Sequence, residues 1–242
     1  MISVGTIWLG VTGQLVLYIH PRYVVFTITM AVIALGFVIA HVAISGREHV
    51  DSDHDRDHDD DVRERPLQRV LSLGALFVAA VIAVAAVVLP PATLSAATAT
   101  QRDVTSSQAD LQAASLADAA AADGPTFSRY TVVEWSSILA QTSDPVFYAG
   151  KPVDVIGFVT PDPVADDVFF VTRFTITCCA VDAQPIGVPV YMPGWSSTFQ
   201  PGDWVEVTGE FASNRSSASP APLAVAPSGV IGVDEPSEPY LY

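Results

Sequence analysis

The residues of this sequence that could carry chemistry concentrate in two places, and the first is a pair of adjacent cysteines. Cys178 and Cys179 are the only cysteines among 242 residues, and Asp182 follows them closely. Two thiolates with a carboxylate could bind a soft or borderline divalent metal such as zinc. No histidine follows His58, so such a site would be short of ligands unless a partner chain supplied more.

Two other interpretations of the cysteine pair are open at this point. Successive side chains of a regular strand point to opposite faces, so the two sulfurs converge only where a strand ends or bulges. One cysteine could therefore belong to the core while the other is half-exposed, without any chemistry. Alternatively, the pair could form a strained vicinal disulfide or undergo redox cycling outside the cell, because strain makes a disulfide easily reduced.

The second place is the segment 46–69, in which aspartates surround three histidines, His49, His54 and His58. Neutral imidazole suits zinc, nickel, copper and cobalt, and neighbouring carboxylates raise the local concentration of cations. The composition predicts weak, exchangeable capture of metal ions. The alternative is a disordered acidic loop in which the histidines are incidental. A tight structural zinc site is not expected, because the segment lacks cysteine.

The sequence lacks the signatures of the common enzyme classes. Without histidine, the part of the chain beyond residue 123 cannot build a Ser-His-Asp or Cys-His arrangement. No P-loop and no dinucleotide-binding glycine pattern occurs. The formal net charge is −15, and no basic stripe exists to neutralise phosphates. We therefore predict that the protein is not an enzyme and does not bind nucleic acid.

Three apolar stretches could anchor these groups to membrane lipid. The first, 2–19, would reach roughly 27 Å as a helix, just enough for the hydrocarbon core of a bilayer. The second covers 24–44, and the third covers 70–89 and is followed by two prolines. These stretches predict a transmembrane hairpin within residues 1–45 and a third transmembrane helix within residues 70–91.

The distribution of arginine predicts the orientation of the three spans. Five arginines lie in the segment 46–69, whereas Arg22 is the only basic residue of the first connector. Because basic residues stay on the cytoplasmic side, the His/Asp-rich loop 46–69 and the N-terminus are expected in the cytoplasm. Everything after residue 91 is then extracytoplasmic, in a multi-pass protein of the cell membrane.

Beyond the third span, the composition changes twice. Residues 92–123 are rich in alanine, serine, threonine and glutamine, which predicts a flexible stalk, with a loose helix as the alternative. Residues 124–242 have the size and the apolar content of a single folded domain. The sequence therefore predicts that this domain carries the cysteine pair outside the cell.

Apolar spacing within residues 124–242 predicts one helix, 131–141, followed by about five short strands. The strand-like runs are 151–159, 168–177, 188–192, 204–211 and one run within 223–233. Residues 185–187 are expected to interrupt the strand pattern between the second and third runs. This order predicts a small, mainly β extracytoplasmic domain. An OB-like barrel is the leading fold, and a β-sandwich is the alternative.

Motifs spread over nearly the whole chain resemble those of the YcgQ-like bacterial membrane proteins. They are Gly13-Gln14-Leu15, Tyr18-Ile19-His20-Pro21-Arg22, Gly157-Phe158-Val159 and Arg173-Phe174-x-Ile176-x-Cys178-Cys179-x-x-Asp182-Ala183. The last motif is the most specific of them. The resemblance implies a permease subunit that pairs with a separate multi-span permease, with a loose association with metal handling. It implies no catalytic residue.

These observations lead to one hypothesis and two alternatives. The hypothesis is a non-enzymatic auxiliary subunit of a membrane permease, linked to metal-ion handling, whose outer domain binds cargo or partner through Cys178, Cys179 and Asp182. The first alternative is a membrane-tethered thiol redox or metal-delivery protein that uses the vicinal cysteines. The second alternative is a purely structural scaffold.

Overall fold

The described residues fall into two units, one within Met1–Ala92 and the other within Thr93–Tyr242. The computed structural model describes residues 2–48, 81, 94–100, 114–122 and 124–242. The predicted loop lies outside these residues beyond position 48, and so do its three histidines, His49, His54 and His58. The predicted third span also lies outside them, apart from residue 81.

The first unit contains helix α1, Ile2–Val11, and helix α2, Pro21–Glu48, joined through a 3₁₀ turn at Gln14–Leu17. Gly13 has a φ of 74°, a left-handed conformation that ends regular helix. Pro21 starts α2, where its missing N–H would be unpaired in any case. A Cβ atom on Gly10 would lie 2.5 Å from Ile28 Cδ1, so the absent side chain lets α1 pack closely against α2.

Helix α2 is the only described helix that is long and apolar enough to cross a membrane, over the 21 residues Pro21–His41. A signal sequence near an N-terminus has the same properties, so this helix is a candidate for either role. Helix α1 has ten residues, about 15 Å, which is shorter than a bilayer core. The predicted span 2–19 is thus divided, because Gly13 interrupts the helix before the polar Gln14.

The described residues of the second unit begin with five short helices. They are α3, Ala96–Thr100; α4, Leu116–Ala121; α5, Gly124–Phe127; α6, Val132–Gln141; and α7, Pro145–Tyr148. The predicted helix 131–141 is α6. It begins with a capping box, in which the Thr131 hydroxyl accepts from Val133 N at 3.2 Å and Glu134 accepts from Thr131 N at 2.7 Å.

Six strands follow, and five of them form a closed circuit. They are β1, Pro152–Pro161; β2, Val168–Thr175; β3, Gln184–Tyr191; β4, Trp204–Ser213; β5, Leu223–Gly232; and β6, Tyr240–Leu241. Strand β1 pairs with β2 and β4, β2 with β3, and β4 with β5, all antiparallel. Strands β3 and β5 pair in parallel at Val190 and Val225, which completes the circuit. The predicted mainly β domain is confirmed.

Inward-facing side chains of this circuit and the apolar face of α6 form one core. Trp135 of α6 is fully buried and contacts the rings of Phe127 and Phe211, with centroid separations of 5.7 and 5.1 Å. Alternate residues of the strands complete the cluster: Val153, Val155, Val159, Phe169, Val171, Ile186, Val188, Val190, Val205, Val207, Leu223 and Val225. Burying each large apolar side chain contributes about 1.5–3 kcal/mol.

Strand β3 differs from the prediction, in which residues 185–187 interrupt the strand pattern. The strand starts at Gln184, with Pro185 opposite Phe174 and Pro189 opposite Phe170. Proline cannot donate to a strand ladder, so it is tolerated where a strand lacks a partner on one side. Strand β3 pairs with β5 at a single position near its end, so its first residues lack a β5 partner.

The described parts of the predicted stalk, residues 94–100 and 114–122, are folded against the β domain. Ala99 and Ala119 are fully buried. Ser137 Oγ and Gln141 Nε2 of α6 both donate to Ala114 O, at 3.1 and 2.7 Å. The small alanine side chains allow these segments to pack closely against the β domain. The composition had predicted a flexible spacer, and the described residues are instead packed.

Candidate functional site

The cysteine pair lies on a turn that connects β2 to β3, which we call the thiol corner and define as residues 177–182. Strand β2 ends at Thr175, two residues earlier than predicted, so the cysteines lie outside regular strand. Cys178 is exposed, Cys179 is half-buried, and both thiols are free. Because the strand has ended before the cysteines, the alternation that would direct their side chains to opposite faces of a sheet no longer applies.

The carboxylate of Asp182 holds the thiol corner in shape. Its oxygens accept from the backbone N–H groups of Cys178, Thr177 and Cys179, at 2.7, 3.3 and 3.4 Å. The N–H of Asp182 donates to Cys179 O at 3.0 Å, which closes the turn. Aspartate commonly stabilises turns by accepting from nearby backbone groups. Asp182 therefore acts in this structure as the residue that orders the turn.

The surroundings of Cys178 favour its protonated form. Desolvation, the neighbouring Cys179 thiol and the Asp182 carboxylate, in that order, raise the pKa of Cys178 above its ordinary value. A thiolate is the form that attacks disulfides and binds metals. Any such chemistry at Cys178 must therefore displace a proton from a thiol that holds it more tightly than usual.

The donors of the thiol corner set a limit on what it could hold. Within residues 2–48, 81, 94–100, 114–122 and 124–242, no group of three or more His, Cys, Asp and Glu side chains is arranged to hold a metal ion. Because the Asp182 carboxylate is already bonded to backbone, the sulfurs of Cys178 and Cys179 are the soft donors that the corner offers. Zinc there would need further ligands from another chain. Metal capture by His49, His54 and His58 stays a prediction.

Arg173, directly upstream, has a supporting role that the sequence did not indicate. Its side chain is buried within β2, and its Nε and Nη2 groups donate to Pro239 O and Glu238 O at 2.9 and 2.6 Å. The guanidinium carbon lies 5.2 Å from the ring centroid of Trp204. Desolvation lowers the pKa of Arg173 from its ordinary value. The signal that could have drawn attention to Arg173 is a charged residue within a strand whose other residues are apolar or threonine.

Asp162 is a buried charged residue of the second unit, as Arg173 is. Its Oδ1 atom accepts from Val164 N and Ala165 N at 2.9 and 3.1 Å, and its Oδ2 atom accepts from Ser219 Oγ at 2.8 Å. These bonds order the loop between β1 and β2 and tie it to the loop between β4 and β5. Asp162 is thus structural, like Asp182.

A shallow apolar cleft of about 250 Å³ lies between α6, β2, β3 and the loop before β5. Its walls are formed by Leu139, Ser143, Phe170, Pro189, Pro220, Ala221, Pro222 and Leu223. Ser143 is the only polar side chain among them, so the cleft carries no group for acid–base chemistry.

Comparison with known families gives two matches that together cover most of the chain. Residues 113–242 match the model of the DUF1980 C-terminal domain, which includes the entire β circuit and the thiol corner. Residues 2–105 match the model of the DUF1980 N-terminal domain. No curated protein matches the chain.

Proposed function

The chain belongs to the DUF1980 family, and we propose that it serves as a non-enzymatic auxiliary subunit of a membrane permease. In this proposal a multi-span permease is the partner, as the resemblance to YcgQ-like proteins implies. The β domain binds the partner or its cargo through the thiol corner, and His49, His54 and His58 hold cations on the cytoplasmic side.

The observation that carries the proposal is the ordered exposure of the cysteine pair. A mobile loop would lose conformational freedom on binding, whereas a turn already fixed by Asp182 loses little. Val181, in the same turn, is 84% exposed and adds an apolar side chain to the exposed surface of the corner. An exposed apolar side chain next to a free thiol suits recognition of a partner or of a thiophilic cargo.

The proposal includes an architecture and an orientation. The β domain is an OB-like barrel, which is supported by its five-strand circuit and by the parallel pairing of β3 and β5. Helix α2 and a further span within residues 70–91 cross the cell membrane, and the segment 2–19 enters it as two short helical pieces on either side of Gly13. The arginines of the loop 46–69 keep that loop in the cytoplasm, so the β domain is extracytoplasmic.

A second candidate function is a membrane-tethered redox or metal-delivery protein. Two observations favour it: both thiols are free, and both lie in one turn outside regular strand. In the redox form, the two thiols would be oxidised to a vicinal disulfide by exchange with a partner's disulfide, which would leave as two thiols, and strain would make the vicinal disulfide easily reduced again by a dithiol. In the delivery form, both sulfurs would bind a divalent ion such as zinc, with further ligands supplied by the acceptor.

The test of the leading proposal compares the full-length chain with three variants, all extracted from native membranes in mild detergent. The variants are Cys178→Ser, Cys179→Ser and the control Val164→Ser, which changes an exposed apolar residue on a different loop. We expect a multi-span protein to co-purify with the wild type and with Val164→Ser, and to be reduced with Cys178→Ser. Absence of any such partner, or its full retention by both cysteine variants, would overturn the proposal.

Two measurements on the same preparations distinguish the second candidate function from the leading proposal. Zinc content per chain should fall with Cys178→Ser only if the corner delivers metal, and with a triple His49→Ala, His54→Ala, His58→Ala variant only if the loop captures it. A mass difference of two hydrogens between native and reduced chains would indicate the disulfide. A membrane-impermeant maleimide applied to intact cells should label the Cys178–Cys179 pair only if the β domain is extracytoplasmic, since the chain has no cysteine outside this pair.

A further inference from the structure

The thiol corner is linked to the first described residues of the second unit through residues 238–241, which we call the strap. Leu94 lies shortly after the two prolines that end the predicted third span. Its N–H donates to the Tyr240 hydroxyl at 2.8 Å, across 146 positions of the chain. The strap is therefore in direct contact with the segment that would leave the membrane.

The other side of the strap is bonded to the end of β2. Tyr240 and Leu241 pair in parallel with Phe174 and Thr175, and Ile176 N donates to Leu241 O at 3.0 Å. Ile176 is the last residue before the thiol corner. The strap therefore continues the hydrogen bonding of β2 as far as the corner itself.

The strap occupies the side of β2 that β1 leaves open. Pairing between β1 and β2 runs from Pro161 opposite Phe169 to Phe158 opposite Thr172, and the strap takes over at Phe174. Arg173 fixes the start of the strap by donating to two of its carbonyl groups. Without the strap, the last residues of β2 would lose the hydrogen bonds that hold the corner in register.

Packing makes the link stiff. Tyr240 is 3% exposed, and its ring meets Phe174 edge-on at a centroid separation of 6.5 Å. Phe174 in turn stacks on Phe158 of β1 at 5.5 Å. A displacement of Tyr240 is therefore passed to the end of β2, since closely packed side chains transmit strain.

We infer that Tyr240 is a positioning residue that couples the segment at Leu94 to the thiol corner, so that movement of that segment changes the reactivity of Cys178. This inference rests on the proposed function for its biological meaning, because a permease that moved the anchor would then alter the site that binds its subunit. The coupling itself can be measured without any partner.

The test measures alkylation of Cys178 by N-ethylmaleimide in the full-length chain in detergent micelles, with the label located by tandem mass spectrometry. Tyr240→Phe removes the hydroxyl but keeps the ring, and Leu94→Pro removes the N–H that donates to it. We expect either change to accelerate alkylation about two- to tenfold, the scale of one lost hydrogen bond. The pH at half-maximal rate should fall toward that of an ordinary thiol, because a looser turn separates Cys178 from Cys179 and Asp182.

The double variant and a matched control make the test decisive. If both changes break the same bond, the double variant should react no faster than either single variant. Tyr191→Phe, at the opposite end of the β2–β3 pair, should leave the rate and the pH profile unchanged. Unchanged alkylation in both single variants, or effects that multiply in the double variant, would overturn the inference.

Thermal unfolding of each variant separates coupling from a loss of fold. If Tyr240→Phe lowers the Tm markedly, Leu94→Pro decides the question, because it leaves the Tyr240 side chain in place. Partner co-purification can fail while this coupling holds, and the coupling can fail while the partner still binds. The two proposals are therefore distinguished by their own readouts.

Discussion

The two units place the same kinds of apolar side chain in opposite surroundings. In helix α2, Phe37 is 72% exposed and Phe26 is 61% exposed, and apolar residues lie on all sides of the helix. In the β domain, Phe211 is 5% exposed and Phe169 is fully buried. The comparison indicates that the β domain provides its own apolar interior, whereas the described residues provide none around α2, as suits a membrane span or a signal sequence.

The sequence pattern accounts for this difference. Strand residues alternate, so Val205 and Val207 point inward while Glu206 points to solvent, and one face of each strand can be buried. Helix α2 has almost no polar residue between Arg22 and His41, so it has no face suited to water. Composition alone would treat both regions as hydrophobic, and only the periodicity separates them.

The largest expected difference between the two units is in the free energy of unfolding after one phenyl ring is removed from each. Phe211→Ala removes contacts with Trp135 and Tyr148, at centroid separations of 5.1 and 5.0 Å, and should lower the free energy of unfolding by about 3–5 kcal/mol. Phe37→Ala should leave the stability of the β domain unchanged. Urea denaturation followed by tryptophan fluorescence measures the unfolding midpoint of both variants. Equal shifts of the midpoint would contradict the proposed difference between the two units.

A charge placed on α2 should have the next largest effect. Ile33→Asp puts a carboxylate in the middle of the apolar window, where membrane insertion costs about 2.5–3.5 kcal/mol. We expect a smaller fraction of the chain in the membrane pellet after alkaline carbonate extraction. Val164→Asp, on an exposed loop of the β domain, is the matched control and should not change that fraction. A wild-type pellet fraction for Ile33→Asp would mean that α2 does not anchor the chain.

The smallest effect concerns a buried hydroxyl and depends on pH. Tyr148 is fully buried and donates to Thr142 O at 2.9 Å, and burial raises its pKa well above the ordinary value. The unfolded chain ionises this group above about pH 10, whereas the folded chain does not, so stability is full below pH 10 and falls as pH rises beyond it. Tyr148→Phe should cost about 1 kcal/mol at neutral pH and should flatten this alkaline loss.

The control for that measurement is Tyr23→Phe, which changes a tyrosine of α2 that is 39% exposed. It should leave the alkaline unfolding curve of the β domain unaltered. If Tyr148→Phe and wild type lose stability in parallel above pH 10, the buried hydroxyl is not the source of the pH dependence.

Local signals predicted most of the β domain. Strand-like runs indicated β1, β2, β4 and β5, and apolar spacing indicated α6. Features set by distant contacts could not be predicted in this way. Strand β6 has two residues and therefore no period, and the helices of the predicted stalk depend on the surface against which their alanines pack.

The candidate site was predicted in part. The end of a strand near Cys178 and Cys179 was expected from the residues that follow them. The role of Asp182 was not, because a carboxylate near two thiols resembles a ligand set as much as a turn-stabilising group. Neither Arg173 nor Tyr240 had a local signal for its partner, since each bonds to residues more than sixty positions away.

The closure of the β circuit has a consequence for how the chain is made. Strand β1 needs β4 beside it, and the circuit is completed only by β5, which ends about eighty residues after β1 begins. At a synthesis rate of roughly 5–20 residues per second, the nascent interior stays incomplete for about 4–16 s. During that interval the valines of β1 and the phenylalanines of β2 have no native cover, so successful production of this chain depends on shielding them from other nascent polypeptides until β5 arrives.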